Sequence, residues 1–181
     1  PGTIVWADEK QVPTVIRRDV VVKVNNDQHI SEKMSAPYMT EARRRADAAK
    51  VAVACEQALA ARKVMLYVEF KGVVDQIAAN IAPSKPTFII TGDVSRAQRT
   101  ARLSAFNRTA DAALVFTRCG GEGMNTCGVD AIIVVSNYWT PGIEKQVIGR
   151  VVRTDSHAPN ATVEFVFIRV EGDKLPDSKL S

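Results

Sequence analysis

Along this chain the spacing of apolar and polar positions changes character several times, and each change predicts an element. Residues 1–18 carry no sustained period and contain Pro1 and Pro13. Asp19 to Val24, DVVVKV, is β-branched over strand length, a composition suited to a pleated, half-buried surface. From Asp27 to Arg62 the pattern turns helical, with an interruption around Pro37. Within it, Thr40 to Arg62 is rich in alanine and opens on a capping-type threonine, which predicts one long helix. Its basic run, Arg43 to Arg45, reads as a solvated face.

At Lys63 the texture changes. VMLYVEF is a largely apolar run of strand length, and strands and helices then alternate. A helix is predicted near Val73–Ile81, a strand at Thr87–Ile90 and a helix from about Ser95 to Phe106. A strand at Ala113–Phe116 precedes a glycine-rich loop, and another follows at Ala131–Val135. One more helix and a strand at Thr162–Val170 complete the series, and the tail after Asp173 is polar. Short buried-type strands alternating with helices imply βαβ units, hence an α/β fold with a mainly parallel sheet sandwiched between helices. Functional residues in such folds collect at the carboxyl ends of the strands.

Composition narrows the class. The 181 residues are 46% hydrophobic and 24% charged, enough for one domain with an appendage and a real core. A net charge of +4 and a pI near 9.1 permit nucleic-acid contact without demonstrating it. Cys55, Cys119 and Cys127 are odd in number and lack C-x-x-C spacing. That argues against a disulfide framework or zinc ribbon and for an intracellular, reducing compartment. His29 and His157 are isolated, so no metal site is assigned. No apolar run is long enough to span a membrane, and PGTIVWADEK is not a signal peptide. A start at Pro1 rather than Met suggests a piece of a longer protein.

Two stretches carry candidate chemistry. In QVIGRVVR, Gln146 to Arg153, helical spacing puts Gln146, Arg150 and Arg153 on one face. Val147, Ile148, Val151 and Val152 fall mostly on the other, which can bury. Two guanidinium forks and an amide aimed at one place suit an anion, phosphate above all. The second stretch, TRCGGEGMN from Thr117 to Asn125, lies at the carboxyl end of a predicted strand, and its glycines permit close backbone approach. It is neither a G-x-x-x-x-G-K-[ST] phosphate loop nor a dinucleotide fingerprint.

Taken together, these stretches are more specific than either alone. A strand ending in Thr117, then GGEGMN, VDAIIVVSNYWTP and E-x-Q-x-x-G-R-x-x-R resemble motifs V and VI of superfamily-two helicases. GGxGxN, with a W-x-P between the motifs, looks like the sucrose-nonfermenting, chromatin-remodeller-like DNA-dependent ATPases. Upstream, FIITGDVSRAQRTARLSAFN is similar to motif IVa, with Gly92, Arg99 and Phe106 in order, and KVMLYVEF is similar to motif IV. Residues 12–31 are similar to the linker between the lobes of such ATPases. Thr140 stands where remodellers commonly carry Asn, and Val152 and Asp155–Ser156 stand in place of their His and G-Q. The QxxGRxxR spelling lies nearer other superfamily-two helicases.

The resemblance implies a RecA-like helicase C-terminal lobe over residues 63–173, after a linker and helical extension at 1–62 and before a polar tail at 174–181. It implies ATP and Mg2+ in a two-lobe enzyme, with the phosphate loop and metal carboxylates on an N-terminal RecA-like lobe of the same parent chain. Arg150 and Arg153 would act as catalytic arginine fingers, with Gln146, Gly123 and Asn125 at the nucleotide. Thr117, Arg118, Gly92 and Arg96 would meet the backbone of DNA, duplex by preference, with no membrane partner. The chain alone should be inactive, because the charge-neutralising groups are divided between lobes. Two other readings fit the residues: a non-catalytic RecA-like module that binds nucleic acid or protein, and a lobe of an RNA helicase.

Overall fold

The computed structural model describes residues 13–23, 36–118, 124–136 and 161–171. Six strands form one sheet: β1 (Thr14–Val22), β2 (Lys63–Tyr67), β3 (Thr87–Ile90), β4 (Ala112–Phe116), β5 (Ala131–Val134) and β6 (Thr162–Val170). Four helices are described: α1 (Ala36–Ala49), α2 (Val51–Ala60), α3 (Lys71–Ile81) and α4 (Arg96–Arg108). The strand order is β1-β6-β5-β2-β4-β3, and every pairing is parallel.

Side chains alternate across a strand, and here that alternation builds two cores. Val64, Leu66, Val68, Ala113, Val115, Ile133 and Val135 face one layer, where α2 and α3 contribute Ala54, Ala58, Val74, Ile77 and Ile81. Met65, Tyr67, Leu114, Phe116, Ile132, Val134, Phe165 and Phe167 face the other, joined by Phe106 of α4. Strands β2, β4 and β5 are buried at every position, which explains their continuous apolar runs. Ile77 shows no exposure, and its truncation to Ala would cost ~2–5 kcal/mol.

Three expectations are revised. The first strand covers Thr14–Val22 rather than Asp19–Val24, so part of the supposed irregular start is ordered. It lies at the sheet's rim with both faces largely exposed, so no alternation marks it. Cross-strand pairs support it instead. Arg18 donates to Glu164 and, at 2.7 Å, to Gln57 Oε1; Arg17 lies 4.1 Å over the Phe167 ring; and Arg169 bonds Asp19 at 3.0 Å. Second, the single helix over Thr40–Arg62 is two helices. The Lys50 N–H bonds the Asp47 carbonyl three residues back, and the ladder resumes with Ala54 on Lys50. Third, Thr40 is no cap: α1 starts at Ala36, and Pro37 falls in its first turn, where a missing N–H costs nothing. Arg44 and Arg45 both bond Glu41 on an exposed face and hold its carboxyl down to about 2, Arg44 foremost.

Residues 14–22 and 51–60 thus share the sheet and core of the expected lobe. Of the expected linker, residues 24–31 lie outside the described residues, as does the tail from 172 onward. Among the described residues no helix is long and apolar enough to cross a membrane.

Candidate functional site

Because the strands are parallel, their carboxyl ends share one rim. Beyond the strands proper, hydrogen bonds continue to lace that rim. Val68 N–H bonds Phe116 O at 3.0 Å, Val135 N–H bonds Tyr67 O at 3.1 Å, and Thr117 N–H bonds Ile90 O at 3.2 Å. The last of these sets Thr117 and Arg118 beside the turn that leaves β3, where Val94 N–H bonds Thr91 O at 3.2 Å. Gly92 is exposed in that turn.

The turn feeds α4 through a capping box. Ser95 Oγ accepts from the Gln98 N–H and Gln98 Oε1 from the Ser95 N–H, both at 3.3 Å, which satisfies two orphan donors reciprocally. Arg96 follows in the first helical turn, exposed and without an ion pair among the described residues. A helix amino end disfavours a cation, so local electrostatics do not account for Arg96. Arg118 is exposed and likewise unpaired among the described residues. Thr117 is buried, and its Oγ1 has no hydrogen-bond partner among the described residues. An orphaned buried hydroxyl costs ~1–3 kcal/mol, so packing does not explain it.

Asp93 does not serve the start of α4. It pairs with Lys71 at 2.6 Å on the surface, and that hydrogen bond pulls the Asp93 carboxyl below its usual range and raises Lys71. The anchor of α4 to the sheet is Arg102, whose guanidinium donates to Ile89 O at 2.6 Å. Arg99 is half-buried with its Nε unpartnered. It borders a groove of about 740 Å3 along α4, with Arg96, Leu103, Ser104 and Met124.

The rim therefore brings together Gly92, Arg96, Thr117 and Arg118, the four expected nucleic-acid residues. Asn125 lies apart from them. Its carbonyl accepts from Asn107 Nδ2 at 3.0 Å near the end of α4, and the Cys127 N–H reaches Asn107 Oδ1 at 3.1 Å. Asn107 O in turn accepts from Lys63 Nζ at 3.0 Å, where β2 begins. Gln146, Arg150, Arg153 and Gly123 lie outside the described residues, as do Cys119, Tyr138 and Trp139. Sequence reasoning missed a buried cluster of Asp47, Lys50 and Ser136 at the same rim. Asp47 and Lys50 are three residues apart, but Ser136 lies 89 residues from Asp47, so no local pattern announces the cluster.

The family model for the helicase conserved C-terminal domain matches residues 49–155, more than half of the chain. Among curated proteins, the chain is 26% identical over 104 residues to human TATA-binding protein-associated factor 172, covering 54% of this chain and 6% of that protein. It is 25% identical over 112 residues to the DNA repair protein RAD5 of Candida albicans, with 58% and 10% covered. With the CHD3-type chromatin-remodeling factor PICKLE of Arabidopsis thaliana it shares 28% over 95 residues, covering 50% and 7%. The matched stretch is thus a tenth or less of these relatives. Among solved structures, the C-terminal part of the Fun30 ATPase domain aligns at a TM-score of 0.55 with 16% identity, over 78% of this chain and 43% of that one. The Escherichia coli DEAD-box protein SrmB, solved with the regulator RraA, aligns at 0.56 with 11% identity, over 87% and 78%. Both likenesses are of fold.

Proposed function

The chain belongs to the family of helicase conserved C-terminal domains, and from that premise we propose that it is the second motor lobe of an ATP-driven DNA translocase or helicase. The observation that carries the reading is the convergence of Gly92, Arg96, Thr117 and Arg118 on one rim, with two cations unpaired among the described residues. Exposed guanidinium groups beside a turn suit a phosphate backbone, and such contacts fix position without reading bases. Relatives named for DNA repair and chromatin remodelling favour DNA as the partner.

In this reading Arg150 and Arg153, with Gln146 beside them, face the phosphates of ATP held mainly by a first lobe of the parent chain. ATP supplies the phosphoryl group that is transferred to water. This chain's arginines stabilise the negative charge that builds on that group. Magnesium requires carboxylate and phosphate oxygens. The ion is proposed to sit on the first lobe, where the family resemblance puts the metal carboxylates. Gly123 and Asn125 are proposed to line the nucleotide from this side.

The deciding experiment measures ATP turnover of the full-length parent with duplex DNA, single-stranded DNA and RNA. Duplex DNA should stimulate most, and Arg150→Ala should lower the stimulated rate ~10³-fold or more. The chain alone should show no DNA-stimulated turnover. Stimulation by RNA alone would favour an RNA helicase, and a parent without turnover would favour a binding module.

A further inference from the structure

Strand β5 hands the chain on at Ser136, ten residues before Gln146. Three side chains with no solvent exposure meet there: Asp47 from α1, Lys50 from the break between α1 and α2, and Ser136 itself. Ser136 Oγ donates to Asp47 Oδ2 and accepts from the Glu69 N–H at 2.8 Å. Lys50 Nζ donates to Asp47 Oδ1 at 3.3 Å and to the Val135 carbonyl at 2.8 Å. One cluster therefore ties the helix break to main-chain atoms just past β2 and β5.

Stability is a poor reason for it. A buried ion pair holds a fold no better than well-packed apolar residues of the same volume, and here it also accompanies an interrupted helix. What the cluster does supply is a defined direction of exit: the Val135 carbonyl and the Ser136 side chain are both fixed by charged partners. Resting on the function proposed above, we infer that Asp47, Lys50 and Ser136 are positioning residues that set how the chain leaves β5, and through it the placement of Arg150 and Arg153 against ATP.

The test uses the full-length parent. Asp47→Leu combined with Lys50→Met replaces the pair by apolar side chains of similar volume, a change that commonly preserves stability. The expected result is a urea midpoint near or below the parental one, since Val135 O and Ser136 Oγ lose their charged partners, with duplex affinity and ATP KM of the folded protein within about threefold and kcat lowered about 10- to 100-fold, because a misplacement of ~1 Å costs up to that much. A folded double variant with parental kcat overturns the inference. Should that variant fail to fold, Ser136→Ala decides. A fall in kcat per duplex-binding molecule of about threefold or more, at unchanged KM, supports the inference; parental kcat overturns it. Arg150→Ala measured alongside separates the layers. If it leaves turnover intact, the arginine reading fails and takes this inference with it. If it abolishes turnover while the cluster variants keep theirs, only this inference fails.

Discussion

The amino rim of the sheet and the β3–β4 end of its carboxyl rim use their arginines and lysines differently. At the amino rim, Lys85 is buried and donates to Ala58 O at 3.0 Å, to Arg62 O at 3.1 Å and to Ala61 O, closing the carboxyl end of α2. Asp111 balances it at 3.1 Å. Nearby, the Lys63 N–H bonds Asp130 Oδ2 at 2.8 Å, and its ammonium, turned inward, sits 5.0 Å over the Phe106 ring. Burial lowers that lysine's pKa despite the neighbouring acids. A cation at a helix carboxyl end satisfies carbonyls that the helix itself cannot. At the carboxyl rim, Arg96 and Arg118 are exposed and Thr117 Oγ1 has no partner among the described residues. The amino rim consumes these polar groups in holding the fold, whereas at the carboxyl rim the Asp47–Lys50–Ser136 cluster is buried and paired and the β3–β4 end keeps exposed guanidinium groups.

Lys85→Met is the harshest way to break this contrast. It strips one ammonium from three carbonyls at and just past the end of α2, and should destabilise the domain by ~3 kcal/mol, read as a lower urea midpoint at constant slope. Duplex affinity of the remaining folded protein should not change. A loss of affinity at constant stability would mean that the amino rim also binds, and the division between the rims would be wrong.

That division was only partly legible in the sequence. The β3–β4 end of the carboxyl rim could be read because its residues sit within short, ordered segments: Gly92 after a β-branched strand, Ser95 three residues before Gln98, Thr117 closing an apolar run. Local spacing sufficed for α3, α4 and all the strands from β2 to β6. The amino rim was illegible because its bonds join residues 23 to 67 positions apart, as in Lys85 to Arg62 and Lys63 to Asp130. Strand β1 was misjudged for another reason: Arg17, Arg18 and Asp19 sit mid-strand and are satisfied by partners on β6 more than 140 residues away. The break at Lys50 was hidden because alanine spacing continues across it, and the partner of Lys50 there, Val135, is 85 residues away. The motif VI residues were read entirely from spacing and resemblance.

A gentler pair of changes works on the carboxyl rim. Arg118→Ala should leave the urea midpoint in place and weaken duplex binding by about 1 kcal/mol, roughly fivefold, uniformly across sequences. The slope of log affinity against log salt should fall by about one, the signature of one lost phosphate contact. Thr117→Val removes an unpartnered hydroxyl without changing shape, so stability should hold within about 0.5 kcal/mol or rise. A marked destabilisation would show that this rim, like the other, uses its polar groups to hold the fold.

The smallest effect belongs to the Lys71–Asp93 pair, which is exposed and at the carboxyl rim. Asp93 has its folded pKa lowered by the hydrogen bond from Lys71. Its contribution to stability is therefore present above the unfolded carboxylate value of ~3.9 and is lost as the pH falls through the folded value. Lys71 is raised by the same bond, so its contribution is present below ~10.4 and is lost as the pH rises through the folded value. Asp93→Asn should lower the urea midpoint slightly between these limits, and the difference should close at either extreme. The same change removes a negative charge from the rim and frees Lys71, so duplex affinity should rise about twofold at low salt and return to parental at high salt. If affinity fell instead, the carboxylate would be holding a binding group in place, and this rim would depend on internal pairing as the amino rim does.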